Sequence, residues 1–303
     1  MANSPINEAR LRRIRDRQWE DRWGVDYTAS IWATSKEAPG WTSASVLNPL
    51  KLGCRNFHTL GRREEYVAYL ALHHPLLWDL HEQRALFPEP RAHFLFGHPR
   101  AAGMNLSPIT GTIAVASRMG FLSKHPKIYV KPGGAAHLPY MVPFPYISDL
   151  LLYLEDEAGV YAINWSVTDK RNDYFPRGRR RAGNPGELDE DERDSKLIEK
   201  AYYEDAGIRT QKVAGQAVDF DLRCNLRELF LHQNKTVGLP REQIIEITAK
   251  FRAAVGSGVV GYEVTRDVAV EFKIAARGRA PHLEASHMES RPKGRSFPTS
   301  FDG

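Results

Sequence analysis

The chain has 303 residues, a formal net charge of +5 and an isoelectric point near 9.1, with 42% apolar and 26% charged residues. That balance describes a globular protein with one large domain or two ordinary ones, and it excludes a low-complexity chain without a core. Two cysteines, Cys54 and Cys224, exclude a disulfide framework and a thiolate zinc site; no apolar run approaches a membrane span, and the charged N-terminus has no signal-like apolar segment.

These exclusions predict a cytoplasmic protein, and the basic balance favours a polyanionic partner. In chain order, the segment to about Trp23 predicts a helix with Leu11, Ile14, Trp19 and Trp23 on one side and arginines elsewhere. It serves either as a docking helix with a solvated basic face or as an arm against DNA. Asp26 to Gly61 is loop-rich, with "KEAPGW" and "LNPLKLG" as turn signals. In "RREEYVAYLALHHPLLWDLHEQ", Tyr66, Tyr69, Leu70 and Leu72 form an apolar helical face, and Pro75 follows the helix. "RALFPEPRAHFLFGHP" and "HPKIYVKPGG" predict strands punctuated by proline and glycine.

"SDLLLYLEDEAGVYAINWSVTDK", from Ser148 to Lys170, predicts two strands joined by a tight turn. Tyr161, Ile163, Trp165 and Val167 fall on one face, and Ala162, Asn164, Ser166 and Thr168 on the other. The stretch between Lys170 and Ser195 is basic, then acidic, and rich in glycine and proline, which marks a linker and a domain boundary. Beyond it, "KLIEKAYYEDAG" predicts a helix stopped by Gly207, "IRTQKVA" a short strand, and "DFDLRCNLRELFLHQ" and "LPREQIIEITAKFRAAVGSG" two amphipathic helices. "TRDVAVEFKIAARGRA" suits a strand by the alternation of Val268, Val270, Phe272 and Ile274, or a helix by its alanines; past about Pro281 the chain predicts a frayed tail.

One constellation can carry chemistry. Asp149 follows the apolar "MVPFPYI" and opens "LLLYL", and Glu64 or Glu65 on the preceding helix offers a second carboxylate. Magnesium takes one or two carboxylates and completes its shell with water and phosphate oxygens. The second strand presents Asn164, Ser166, Thr168 and, if the alternation persists, Lys170 toward Asp149. Carboxylates for a cation and an amine for developing charge are the parts that metal-assisted phosphodiester hydrolysis requires. Blander readings stand beside it: a solvated strand-edge aspartate, a surface lysine, and helix-start acids meeting the helix dipole. His73 and His74 lack the spacing of a helical metal pair and suit a capping or packing role. No GxxxxGK[ST] loop, GxSxG elbow, cysteine cluster or internal repeat is present.

The order of "GRREEYVAYLALHHPLLWDLHEQ", the 148–170 hairpin, "IEKAYYEDAGI" and "DFDLRCNLREL" resembles the TnsA family, the endonuclease subunits of heteromeric transposases. The resemblance spans roughly Val46 to Gly258. It implies an α/β chain: a restriction-endonuclease-like N-terminal domain, with a mixed central sheet flanked by helices, and a small winged-helix-like C-terminal domain. The expected divisions are an arm over 1–45, the catalytic domain over 46–172, a linker over 173–195, a helical partner- or DNA-binding domain over 196–280, and a tail over 281–303.

By the same resemblance the metal ligands are Glu64 (with Glu65 one step away) and Asp149, holding Mg²⁺ or Mn²⁺. Ser166 falls in the slot for an acid or glutamine. The lysine slot holds Thr168, which carries no charge, so Lys170, of the same strand parity, is the expected catalytic amine. The implied activity is nicking the 5′ ends of a transposon. A DDE-type transposase partner would act on the 3′ ends, and an AAA+ ATPase regulator would dock on the C-terminal domain. The basic run Arg177 to Arg181 is either a solvated surface or a phosphate contact. Two alternatives are a catalytically weakened adaptor that binds DNA and these partners, and a nuclease that acts without a partner.

Overall fold

The structure is a computed structural model that describes residues 6–38, 43–131, 138–168, 190–215, 218–236, 238–254, 257, 259 and 261–272. Two compact units divide the chain, Met1–Lys235 and Thr236–Gly303. The architecture is mixed α/β, with three sheets and seven α-helices among the described residues.

The first unit contains, in order, α1 (Glu8–Gln18), β1 (Ser45–Leu47), β2 (Phe57–Thr59), α2 (Arg62–Leu72), β3 (Leu77–Leu86) and α3 (Thr112–Arg118). There follow β4 (Lys127–Val130), β5 (Tyr140–Pro143), β6 (Tyr146–Asp156), β7 (Gly159–Thr168), α4 (Glu190–Asp205), β8 (Arg209–Ala214) and α5 (Phe220–Leu231). The second unit holds α6 (Arg241–Ala254) and α7 (Gly261–Glu271). The stretch that suited either strand or helix is therefore helical through Glu271.

The central sheet runs β3-β6-β7-β8, antiparallel except for β8, which lies parallel to β7. A parallel neighbour cannot be reached through a hairpin, and α4 makes that crossover. The expected hairpin is β6–β7. Asp156 pairs with Gly159 at its tip, Gly159 takes φ +123°, and the Asp156 carboxylate accepts the Ala158 N–H at 2.8 Å. The alternation along β7 holds. Trp165 is buried in a core with Val67, Leu72, Leu150, Leu152 and Phe230, and Tyr161, Ile163 and Val167 pack on it; Val160 and Ala162 join the opposite core with Leu151, Tyr153, Ile198 and Tyr202. The sheet thus lies between α2 and α5 on one face and α3 and α4 on the other.

Three expectations change. Of the strand expected in "RALFPEPRAHFLFGHP", only Arg84 to Leu86 is strand, the end of β3, which begins at Leu77. Asp79, His81, Glu82, Gln83 and Arg84 are all buried in β3, so its sequence lacks the alternation of a half-exposed strand. Asp149 does not open its strand but stands inside β6, three residues past Tyr146. The compact unit also runs on to Lys235, so α4, β8 and α5, expected beyond the linker, belong with the sheet they complete and cover. Lys170, the 177–181 run and the 281–303 tail lie outside the described residues. No helix among the described residues is long and apolar enough to cross a membrane.

Candidate functional site

The first turn of α2 follows an extended N-cap at Gly61, and Glu64 reaches back there. Its Oε2 accepts the Leu60 N–H at 2.7 Å and the Gln83 Nε2–H at 3.1 Å. This back-reach satisfies a backbone donor that the helix start leaves free, and it holds the carboxylate over the end of β3. Glu65 instead accepts the Tyr69 hydroxyl at 2.9 Å. Of the two candidates, Glu64 is the one whose charge meets that of Asp149.

Gln83 is the irregular residue of β3. The ladder pairs Glu82 with Leu150 and Arg84 with Ser148, which brackets Gln83 opposite Asp149. Gln83 itself takes φ +51°, a left-handed conformation that costs a non-glycine residue about 1 kcal/mol or more. Its backbone is held from outside the sheet. The Gln83 carbonyl accepts from Gln18 Nε2 at 3.1 Å and from the Ser30 N–H at 3.2 Å, while Gln18 Oε1 accepts the Ala85 N–H at 2.7 Å. Tyr27 donates to the Glu82 carbonyl at 2.6 Å. The last turn of α1 and the segment after it therefore brace the β3 edge where its own ladder is interrupted.

Asp149 Oδ2 accepts the Val167 N–H at 2.8 Å and the Lys196 ammonium at 3.0 Å. Lys196 reaches Glu199 Oε2 at 3.1 Å on the same helix, and Asn164 Nδ2 donates to Glu199 Oε1 at 2.9 Å. Burial opposes the charge on Lys196, yet the two carboxylates outweigh it and hold its pKa above the ordinary lysine value. Burial, followed by the Asp149 charge, pushes the Glu64 carboxyl up to about 8. Burial also raises Glu199, with Asp149 adding to the effect and Lys196 opposing it.

Among the described residues the structure brings Lys196 of α4 together with Glu64 and Asp149, while Lys170 lies outside them. From the sequence the amine was expected along β7. Lys196 lies 47 residues from Asp149, beyond the charged segment, where spacing along a strand carries no information. One local sign was available. Glu199 falls on the buried stripe of α4 with Tyr202 and Tyr203, and a carboxylate there requires a buried partner. Ser166 is buried on the face that carries Asn164; Ser166 Oγ and Asn164 Oδ1 have no hydrogen-bond partner among the described residues.

No group of three or more His, Cys, Asp or Glu side chains arranged to hold a metal occurs among the described residues. A closed all-protein site is therefore not what these residues form. Two neighbouring carboxylates, with no thiolate or imidazole beside them among the described residues, fit a hard cation that takes one or two carboxylates and leaves its other positions to water or phosphate. In comparisons with known proteins, the sequence matches no family model and no curated protein.

Proposed function

We propose that this chain is a metal-dependent DNA endonuclease with a restriction-endonuclease-like core, acting as the TnsA-like subunit of a transposase that nicks the 5′ ends of the element. One observation carries the reading: Glu64, Asp149 and Lys196, from three separate elements, meet at one end of the β3-β6-β7 sheet. The order α2-β3-β6-β7-α4-β8, with β8 parallel to β7, supports such a core. The helices α6 and α7 are assigned to binding the transposase and its ATPase regulator.

Glu64 and Asp149 would hold Mg²⁺ or Mn²⁺, which supplies Lewis-acid polarisation of a phosphate and a more acidic bound water. Lys196, kept charged by Asp149 and Glu199, offers a cation to the charge that builds on the phosphate oxygens. It takes the role expected of Lys170 from the sequence. Water adds its oxygen to phosphorus, one backbone P–O bond breaks, and a proton ends on the departing sugar oxygen. Ser166, whose Oγ has no partner among the described residues, would exchange a hydrogen bond with water in the site.

A second reading, a DNA- and partner-binding adaptor, is favoured by a different feature: the Val167 N–H and the Lys196 ammonium both meet Asp149 at Oδ2, an arrangement that neutralises the carboxylate without a metal ion. Mg²⁺- or Mn²⁺-dependent cleavage of transposon-end DNA, with the partner transposase present, separates the two. Wild type is expected to cut the 5′ strand, Asp149→Ala and Lys196→Ala to lose the cut, and Lys170→Ala to keep it. A wild-type complex that assembles and cuts 3′ ends but never the 5′ strand would establish the adaptor.

A further inference from the structure

Between Glu89 and Asp149 the sequence contains no aspartate or glutamate, but six lysines and arginines. Four of the six are neutralised by acids from elsewhere: Arg91 by Asp21, Arg100 by Glu155, Arg118 by Asp205 and Lys124 by Asp194. Lys127 and Lys131 have no carboxylate partner among the described residues, and both are exposed. Lys127 opens β4 of the β4–β5 ribbon and Lys131 directly follows it. The register of the ribbon pairs Tyr129 with Met141 and Lys127 with Pro143.

The two faces of the ribbon differ sharply. Ile128 packs with Leu11, Ile14, Ala85, Phe87 and Phe144, and Val130 and Val142 lie against that cluster. Tyr129 and Met141, a cross-strand pair, are 69% and 50% exposed. An aromatic and a thioether in open solvent, next to two unneutralised lysines, make a surface short of a partner. Ile147 of β6 packs on the same inner cluster, two residues before Asp149. At a rise of ~3.3 Å per residue, the ribbon's inner packing lies about 7 Å along the strand from the candidate site.

We infer that the outer face of this ribbon is a docking surface for duplex DNA next to the scissile phosphate; this rests on the endonuclease reading above. Lysines are point charges suited to phosphate oxygens, and the Tyr129–Met141 pair offers apolar contact to sugars and base edges. A two-stranded ribbon also has the width that the major groove admits. Charge complementarity argues for the polyanion: the two cations of the acid-free segment that no described carboxylate neutralises flank the exposed apolar pair.

The test is binding of the full-length chain to a fluorescent duplex in chelator, where no cleavage occurs, across a salt series. The variants are Lys127→Gln/Lys131→Gln and Tyr129→Ala, whose exposed side chains leave thermal unfolding unchanged. The lysine pair is expected to make the slope of log affinity against log salt shallower by about two, at about 0.9 for each phosphate no longer neutralised. Tyr129→Ala is expected to weaken binding with the slope retained. A lysine double variant with wild-type affinity and slope overturns the inference, and so does a wild type that binds anionic vesicles in preference to the duplex. If binding depends on the ribbon yet Mg²⁺ elicits no 5′ cut with the transposase present, the docking surface stands and the endonuclease reading fails. If cleavage is normal while ribbon variants bind like wild type, the reverse holds.

Discussion

Replacing Glu64 with glutamine should stabilise this protein at alkaline pH and leave it unchanged in acid. Both hydrogen bonds to Glu64 arrive at the same oxygen, Oε2, from Leu60 N–H and Gln83 Nε2–H. A glutamine keeps them with its carbonyl and replaces the other oxygen with an uncharged amide. What disappears is a half-buried negative charge facing Asp149. The folded state lifts the Glu64 carboxyl from its ordinary 4.5 to about 8, by burial first and by Asp149 second. A raised folded value means the native state binds the proton more tightly than the unfolded chain. Its contribution to stability is full below the unfolded value and is lost as pH rises through the folded one.

The rise corresponds to about 5 kcal/mol at ~1.36 kcal/mol per pH unit. Water reaches this side chain, so about 2 kcal/mol is expected to survive screening. Urea unfolding of wild type and Glu64→Gln, in chelator, at several pH values between about 5 and 8 measures it. The advantage of the variant should be near zero at the acid end and grow to about 2 kcal/mol near pH 8. A difference independent of pH, or a variant less stable than wild type at pH 8, would refute the reasoning.

Three further outcomes follow from the same geometry. Lys196→Met strands two carboxylates, Asp149 and Glu199, and should cost about 2–3 kcal/mol near pH 8, below the full buried-pair loss because Lys196 and Asp149 keep 23% and 20% exposure. Urea unfolding should show that cost shrinking in acid, where Glu199, whose folded value is raised, takes up a proton. Ser166→Ala removes a buried hydroxyl with no partner and should be neutral or stabilising by up to ~1 kcal/mol in thermal unfolding; a larger loss would show that Oγ is in fact bonded. Gln18→Ala leaves the Ala85 N–H without its acceptor and deprives the Gln83 carbonyl of one donor, and should cost about 2–4 kcal/mol by denaturant titration; a change below ~0.5 kcal/mol would mean that Ser30 and Tyr27 hold the strained β3 edge by themselves.

The hairpin that carries Asp149 was legible from sequence because its periodicity is local. Alternation along residues 159–168 needs only a strand with one apolar and one mixed face, and the two-residue turn at Glu157 and Ala158 is written in its neighbours. The helix holding Glu64 was legible for the same reason, and His73, whose ring meets the Tyr69 carbonyl at 2.8 Å, closes it as a cap. β3 was legible as a strand only at its end, Arg84 to Leu86. Its run Asp79–Arg84 looks like surface, and only burial among Asp21, Arg55, Tyr27 and Gln18 makes those polar groups tolerable inside. Nor did the sequence point to Lys196. Spacing along β7 pointed to Thr168 and then Lys170, which lies outside the described residues, whereas the described amine beside Asp149 is Lys196 of α4, 47 residues away in sequence. Local periodicity sets which elements form. Which charges meet depends on how those elements pack, because an ion pair is selected by through-space distance and burial and not by separation along the chain.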